Sequence, residues 1–490
     1  MISLPADQMV QRAIAALNNG QLGLAESAAR SVTTAAPKYL EGWIALGRVL
    51  TQVGRFDDAR GALDTADRIR PFHVGATLAR AQLNWREGRD EDVIVLCAQI
   101  LKNQPNVEAT LLTGMAHRRL GRFEKALGAF RRIPGDATVA CGIAATLLDM
   151  DDPRGAIDVL TPHVSNAALP AMTRYNILHS IGEAQEKRGE YADAMRSYTA
   201  ANTSIPVKFD EAGFRAGVAL MREVFSAEAI RKSAKATVRT SRPVFIAAMP
   251  RSGTTLLDRI IASHPQAGGA GETRALRGQA SEWSSKDPDS AWPRIARRFG
   301  AVDLDRIANR YLAETNRYGP NALRISDKHL QNWTMVGLVA MALPDARIIH
   351  LQRDPMDNGI SCFERIEPSA IPWSADLKHI GLAIRGTDAL MEHWKAVSGM
   401  PILTVQYEDL VRDQEAQTRR ILDFIGLPWN DACMQHHVPR SPTTTGRGEH
   451  APPTLGSEQA ARPISDKSIG RAARFGTMLD PLHEALQQSL

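Results

Sequence analysis

Gly20, Gly54, Gly88, Gly121 and Gly189 stand 34, 34, 33 and 68 residues apart. No other feature restricts the fold of this chain so strongly, because a period of this length means that one helix–turn–helix unit is used repeatedly. The interval of 68 holds a shifted copy, Asp151-Asp152-Pro153-Arg154-Gly155-Ala156, between Gly121 and Gly189. In the second unit Trp43, Leu46, Gly47 and Leu50 fall at helical spacing. Gly54-Arg55-Phe56 turns the chain, and Ala59, Leu63 and Ala66 line a returning helix. Pro71 cannot continue a helix and closes the unit. Small residues such as Gly47 and Ala59 mark the close approach of the paired helices. The same grammar returns at Gly114, Ala126, Phe130 and Pro134, and again at Gly182, Ala194, Tyr198 and Pro206.

Over residues 5–208 this pattern, about six units long, resembles the tetratricopeptide family. The resemblance implies an α-helical solenoid across residues 1–208, with a concave face for a protein or peptide partner. A spacer and a homodimer surface remain open as alternative roles. Phe209 to Lys235 reads as a helix, which makes 209–241 a helical linker, and the polar run Val238-Arg239-Thr240-Ser241-Arg242 before Pro243 suits a boundary. A second domain is expected over 242–490.

Composition narrows the class. Of 490 residues, 44% are hydrophobic and 23% charged, the balance of a globular chain rather than a disordered one. A net charge of +5 is small for this length and suits an anionic cofactor as well as it suits nucleic acid; no nucleic-acid partner is expected. Cys97, Cys141, Cys362 and Cys433 form no C-x-x-C pair, so neither a zinc site nor a disulfide framework is indicated. Met1 to Gly20 lacks a basic stretch followed by an apolar one, and no run reaches the roughly 18 apolar residues of a membrane span. The expected location is a reducing cytoplasm.

The chemistry lies in the second half. Val244-Phe245-Ile246-Ala247-Ala248 is a short apolar run that reads as a buried strand. Met249-Pro250-Arg251-Ser252-Gly253-Thr254-Thr255 follows, and then the helical pattern Leu256, Leu257, Ile260, Ile261. A strand, a small-residue loop and a helix start together cradle an anion, with backbone N–H groups and the helix N-terminus aimed at it. This is not a Walker A loop: Thr254 follows Gly253 where that motif has Lys, and the positive charge sits at Arg251. A second strand, Arg347-Ile348-Ile349-His350-Leu351, leads into Gln352-Arg353-Asp354-Pro355, with Ser361 eight residues after Arg353.

These two motifs, in this order, resemble the 3′-phosphoadenosine-5′-phosphosulfate (PAPS) dependent sulfotransferases, with the first loop as in tyrosylprotein sulfotransferases. The resemblance covers about residues 240–480 and implies an α/β domain, P-loop-like, with a parallel sheet. It makes Arg251, Ser252, Gly253, Thr254 and Thr255 the cradle of the 5′-phosphosulfate. It makes Arg353 and Ser361 the clamps on the 3′-phosphate, and helical spacing puts Arg365 on the face of Ser361. Tyr407, in Tyr407-Glu408-Asp409-Leu410, either holds the nucleotide or closes the sheet as a core residue. The tail Ser457-Glu458-Gln459-Ala460-Ala461-Arg462-Pro463-Ile464 resembles the segment that folds over the donor, with Ser457 and then Arg471 near the 3′-phosphate.

In the same family a Glu in a Gly-Glu-x-Arg context is the general base. That role carries over to Glu272 in Gly271-Glu272-Thr273-Arg274, with His264 as the rival. Lys328 becomes the cation near the bridging oxygen, and Arg251 shares its task. The glycines of Gly268-Gly269-Ala270-Gly271 are expected to let the loop pass close to a ligand. No carboxylate cluster for a metal appears at these loops, and no metal is expected. The competing readings are a repeat scaffold with a degenerate nucleotide-binding domain, and a P-loop kinase, which would lack its phosphate-bridging Lys.

Overall fold

The turn glycines take the left-handed backbone conformation that their recurrence anticipates, with φ of +69° at Gly20, +84° at Gly54, +78° at Gly88, +69° at Gly121 and +79° at Gly189. The computed structural model describes residues 5–18, 20–286, 291–438, 460 and 462–490. By compactness the chain divides into Met1–Ser197 and Tyr198–Leu490, a division that falls inside the helix Tyr191–Ser204.

In the first unit helices come in antiparallel pairs, of which Leu40–Val53 with Phe56–Ile69 and Val107–Arg119 with Phe123–Phe130 are typical. The close approaches are real. A Cβ on Gly47 would lie 2.6 Å from a methyl of Leu63, and one on Gly114 would lie 2.2 Å from the ring of Phe130. The shifted copy follows the same geometry with a different residue. Asp151 takes the turn glycine's place, with φ of +61°, ahead of the helix Pro153–Val164 that Asp152 caps through Gly155 N–H. Asp tolerates this conformation better than most residues but less well than Gly. Its side chain is 91% exposed and lies 3.4 Å from Lys187 Nζ. Asp151→Gly should therefore stabilise the first unit by about 0.5–1 kcal/mol, seen as a higher urea midpoint for that unit's transition. An unchanged or lower midpoint would show that the Asp151 side chain outweighs the backbone strain.

The second unit is built on five parallel strands: β1 (Pro243–Ala247), β2 (Ala267–Gly269), β3 (Arg324–Asp327), β4 (Arg347–Gln352) and β5 (Ile402–Gln406), in the order β2-β3-β1-β4-β5. β1 lies between β3 and β4, with Phe245 beside Asp327 on one side and Ile348 on the other. Helices cover both faces, which is why β1 and β4 read as continuous apolar runs rather than alternating ones. On one face Phe245, Ala247 and Ile348 pack with the helices Ala301–Asn316, Val336–Ala342 and Leu377–Val397. On the other, Val244, Ile246, Ile349 and Leu351 pack with Leu257, Ile260 and Ile261 of Thr254–Ala262 and with Ile421 and Ile425 of Gln414–Ile425.

Residues 209–241, read from the sequence as a linker, hold the helices Glu211–Val224 and Ala227–Lys232. Val218, Met221, Val224 and Ile230 of these helices are buried in the first of the two cores. Val218, Met221 and Val224 recur every three residues, a stripe that a packed helix buries.

The strand order also locates a crevice. From β1 the chain passes to β2 and β3 on one side, then returns to β4 on the other. Loops leaving the carboxyl ends of β1 and β4 therefore diverge, and an open α/β sheet binds ligands at such a switch point. Both anion motifs of the sequence leave the sheet there.

Candidate active site

Every residue of β1 is buried, and the strand delivers residues 248–253 to the N-terminus of the helix Thr254–Ala262. Arg251 and Gly253 both have positive φ, +66° and +94°, so the backbone winds tightly. Such a winding turns successive N–H groups to one side and forms an anion-binding concavity. Gly253 has a second reason to be glycine, since a Cβ there would sit 2.5 Å from the Tyr407 ring. The loop is held from outside. Asn358 Nδ2 donates to Pro250 O at 2.9 Å and to Ser252 Oγ at 3.1 Å, and Arg353 Nη1 donates to Arg251 O at 2.8 Å. Ser252 is buried, while Thr254 and Thr255 open the helix half-buried.

The helix Pro355–Arg365 starts directly after β4 and Arg353, with Asp354 accepting from the N–H groups of Met356 and Asp357. The Arg-Asp-Pro motif is thus a capped helix start. Arg251 Nε reaches Ser361 Oγ at 3.4 Å, across 110 residues of sequence. Burial pushes the pKa of Arg251 down, and the positive charges of Arg365 and Arg353 push it further the same way. The charges of Arg353 and Arg365 thus both bear on Arg251, which lies against Ser361, and a bound anion would offset them. Arg353 also donates to Ser468 O at 2.7 Å and lies over the Tyr407 ring, 5.0 Å from its centroid. Tyr407 belongs to the core beside Leu410 and Val405, as the core reading expects, and it carries Arg353 on its face.

The tail after residue 462 crosses this helix. Asp357, almost fully buried, accepts from Gly470 N at 2.6 Å and Ala472 N at 2.7 Å. Arg471 forms an ion pair of 2.6 Å with Glu364, which is fully buried. Part of the charge that the sequence offers to a 3′-phosphate is here balanced within the protein. Ser457 lies outside the described residues. Asn358 and Asp357 were not singled out by the sequence reading. The signal for Asn358 was its position three residues before Ser361 on one helix.

On the β2–β3 side, Lys328 Nζ pairs with Glu272 Oε1 at 2.9 Å, with the Lys328 side chain 2% exposed and that of Glu272 32%. The loop is tied to β3 by Ala270 N–H to Ser326 O, 2.8 Å, and Lys328 N–H to Gly271 O, 2.9 Å. Here the glycines serve the protein's own packing: a Cβ on Gly268 would meet Tyr318 O at 2.3 Å. His264 is 2% exposed. Its Nδ1 accepts from Gln266 N–H at 3.0 Å, which assigns the proton to Nε2, donated to Pro428 O at 2.9 Å. Both ring nitrogens hold a turn together. The described residues also enclose a cleft of about 420 Å³ at the ends of β1, β4 and β5, lined by Ser252, Gln352, Arg353, Asn358, Asp388 and Gln406 among others. Among the described residues there is no group of three or more His, Cys, Asp or Glu suited to a metal, and no helix long and apolar enough to cross a membrane.

Residues 243–431 match the model of the sulfotransferase family, and residues 10–74, 45–92 and 96–138 match that of the tetratricopeptide repeat. The chain is similar to an uncharacterized protein of Aquifex aeolicus (strain VF5), 28% identical over 343 residues, 68% of this chain and 44% of that protein. It is 28% identical over 209 residues to protein-tyrosine sulfotransferase A of Caenorhabditis elegans, covering 40% of this chain and 53% of the relative. To the protein-tyrosine sulfotransferase of Drosophila melanogaster it is 26% identical over 197 residues, 39% of this chain and 40% of the relative. The chain thus spans about half the length, or less, of these curated relatives. Among solved structures, the sulfotransferase domain from the Synechococcus PCC 7002 olefin synthase is 21% identical, with a TM-score of 0.30 over 50% of this chain and 98% of that one. The chain therefore joins tetratricopeptide repeats in its N-terminal half to a domain of the sulfotransferase family, matched over residues 243–431.

Proposed function

We propose that this protein is a PAPS-dependent sulfotransferase that moves a sulfuryl group onto an acceptor hydroxyl, on a peptide or protein recruited by the repeat half. One observation carries the reading: the loop that leads from β1 into the helix Thr254–Ala262 holds Arg251 with its Nε 3.4 Å from Ser361 Oγ, and Arg353 donates to the backbone of that same loop. Such a site asks for a ligand with more than one anionic group. PAPS, when bound, supplies a sulfuryl group on a 5′-phosphate leaving group, together with a 3′-phosphate.

In this reading Ser252, Gly253, Thr254 and Thr255 hold the 5′ end with backbone N–H groups and hydroxyls. Arg353, Ser361 and Arg365 hold the 3′-phosphate, and Tyr407, Ser457 and Arg471 enclose the nucleotide. Arg251 and Lys328 stabilise the negative charge that grows on the leaving phosphate. Glu272, the more exposed member of its ion pair, accepts the acceptor's proton. Repeats of this kind mediate protein–protein interaction, which favours a protein or peptide acceptor over a sugar or a small phenol. The four cysteines carry free thiols, in keeping with a reducing cytoplasm.

The test is thermal. PAP, the desulfonated donor, at about 100 times its Kd should add about 2.7 kcal/mol and raise the melting temperature of the second unit by several degrees, while ATP should not. A rise with ATP alone would support a kinase. No response to PAP would leave a repeat scaffold with a degenerate domain. Transfer of labelled sulfate from PAPS into a lysate, with identification of the labelled product, then names the acceptor.

A further inference from the structure

The helix Tyr191–Ser204 begins in the first unit and ends in the second. Its last turns bury Tyr198, Ala201 and Asn202, and Ile205 follows just beyond, each 7% exposed or less. Spacings of three and four residues put these side chains on one stripe. An apolar side chain would fill the place of Asn202 at less cost, because a buried amide gives up its hydrogen bonds to water. The amide is instead directed at one atom: Asn202 Nδ2 donates to Phe363 O at 3.0 Å, across 161 residues of sequence. Only a donor can face a carbonyl oxygen, so this contact fixes which way the amide points.

Phe363 belongs to the helix Pro355–Arg365 and stands midway between Ser361 and Arg365. The helical ladder closes with Ile366 N–H on Cys362 O at 3.1 Å. Phe363 O lies in the final turn beyond that bond, where a carbonyl has no helical donor of its own. Asn202 supplies one. The earlier turns of this helix are fixed by other groups: Asp354 caps the first, Asn358 holds Pro250 and Ser252, and Asp357 holds the tail. We propose that Asn202 is a positioning residue that seats the last turn of this helix and so sets where Ser361 and Arg365 meet the 3′-phosphate of the donor. A turn held at its carbonyl neither frays nor slides along the helix axis, and a binding group must be fixed within about 0.5 Å to act on its ligand. A side chain that the 34-residue period assigns to the repeats thus serves the donor site.

This inference rests on the proposed function, and two nucleotides separate them. PAP carries a 3′-phosphate and adenosine 5′-monophosphate does not. Asn202→Leu keeps the size and burial of the side chain and removes the donor. By calorimetry on the full chain it should weaken PAP binding about tenfold and leave the monophosphate within about twofold of wild type. Equal PAP affinity in wild type and Asn202→Leu would overturn the proposal. So would equal losses for both nucleotides, which would mean that Asn202 only supports the fold. If Asn202→Leu fails to melt cooperatively, Asn202→Asp takes its place. Protonated, an aspartic acid at this position still donates to Phe363 O; ionised, it sets only acceptors against that carbonyl. Burial raises its pKa above the usual ~4. The preference for PAP over the monophosphate, taken relative to wild type at each pH, should therefore be close to wild type at about pH 5 and fall as the pH rises to about 8. A preference that follows wild type over the whole range would overturn the proposal. A wild-type protein that binds neither nucleotide would overturn the proposed function, and this inference with it.

Discussion

Glu272→Gln is expected to lower turnover ~100-fold or more and to leave PAP affinity nearly unchanged. The acceptor hydroxyl loses its proton as the new sulfur–oxygen bond forms, so a base contributes while the proton moves and little to binding the donor. Gln keeps the size of the side chain, and its amide oxygen still accepts from Lys328 Nζ, now 2.9 Å from Glu272. The local geometry is therefore retained and only the proton acceptor is lost. Single-turnover rates from labelled PAPS, with PAP binding by calorimetry, measure both quantities. His264→Ala is the comparison variant. Because both His264 nitrogens hold a buried turn, it should lower stability rather than specifically lower the chemical rate. A Glu272→Gln enzyme with most of its activity, beside an inactive but folded His264→Ala enzyme, would move the base to His264.

Arg353→Ala is expected to weaken PAP binding by roughly 1.5–3 kcal/mol, the range of a charge-assisted hydrogen bond. The side chain has several tasks at once. It donates to Arg251 O and Ser468 O and lies on the Tyr407 ring, so it joins the loop after β1, the tail and Tyr407. Arg353→Lys should not restore affinity, since an ammonium has neither the planar fork nor the stacking face. Adenosine 5′-monophosphate, which lacks the 3′-phosphate, separates a direct contact from loop support. Arg353→Ala should reduce PAP affinity far more than that of the monophosphate. Equal losses for both would mean that Arg353 only supports the loop, and no loss for PAP would remove it from the 3′-phosphate site altogether.

The local patterns are legible in the amino-acid sequence. The glycine period marked the helical hairpins because each turn needs a left-handed residue, and Asp151 fills that role in the shifted copy. β1 and β4 were readable because a strand buried on both faces is a short apolar run, and the motifs at Arg251 and Arg353 each follow one. Residues 209–235 were readable as one helix; the structure makes two, Glu211–Val224 and Ala227–Lys232, and buries both in a core.

What the sequence by itself determined is what backbone propensity and hydrophobic period encode within some tens of residues: the repeat, the strands, the helix starts and the chemical type of each loop. Only the tertiary structure decided which charges meet. Parallel strands require long crossovers, so Arg251 reaches Ser361 across 110 residues, Glu272 reaches Lys328 across 56, and Ser326 reaches Asp258 across 68. Nothing in a single sequence records such pairings. An isolated Asp in a helix reads as a solvated residue until the fold buries it. The burial of Asp258, the attachment of the tail to Asp357 and the balancing of Arg471 by Glu364 all follow from how the sheet is wound, because the strength of a charge interaction depends on distance and dielectric, which the folded chain alone sets.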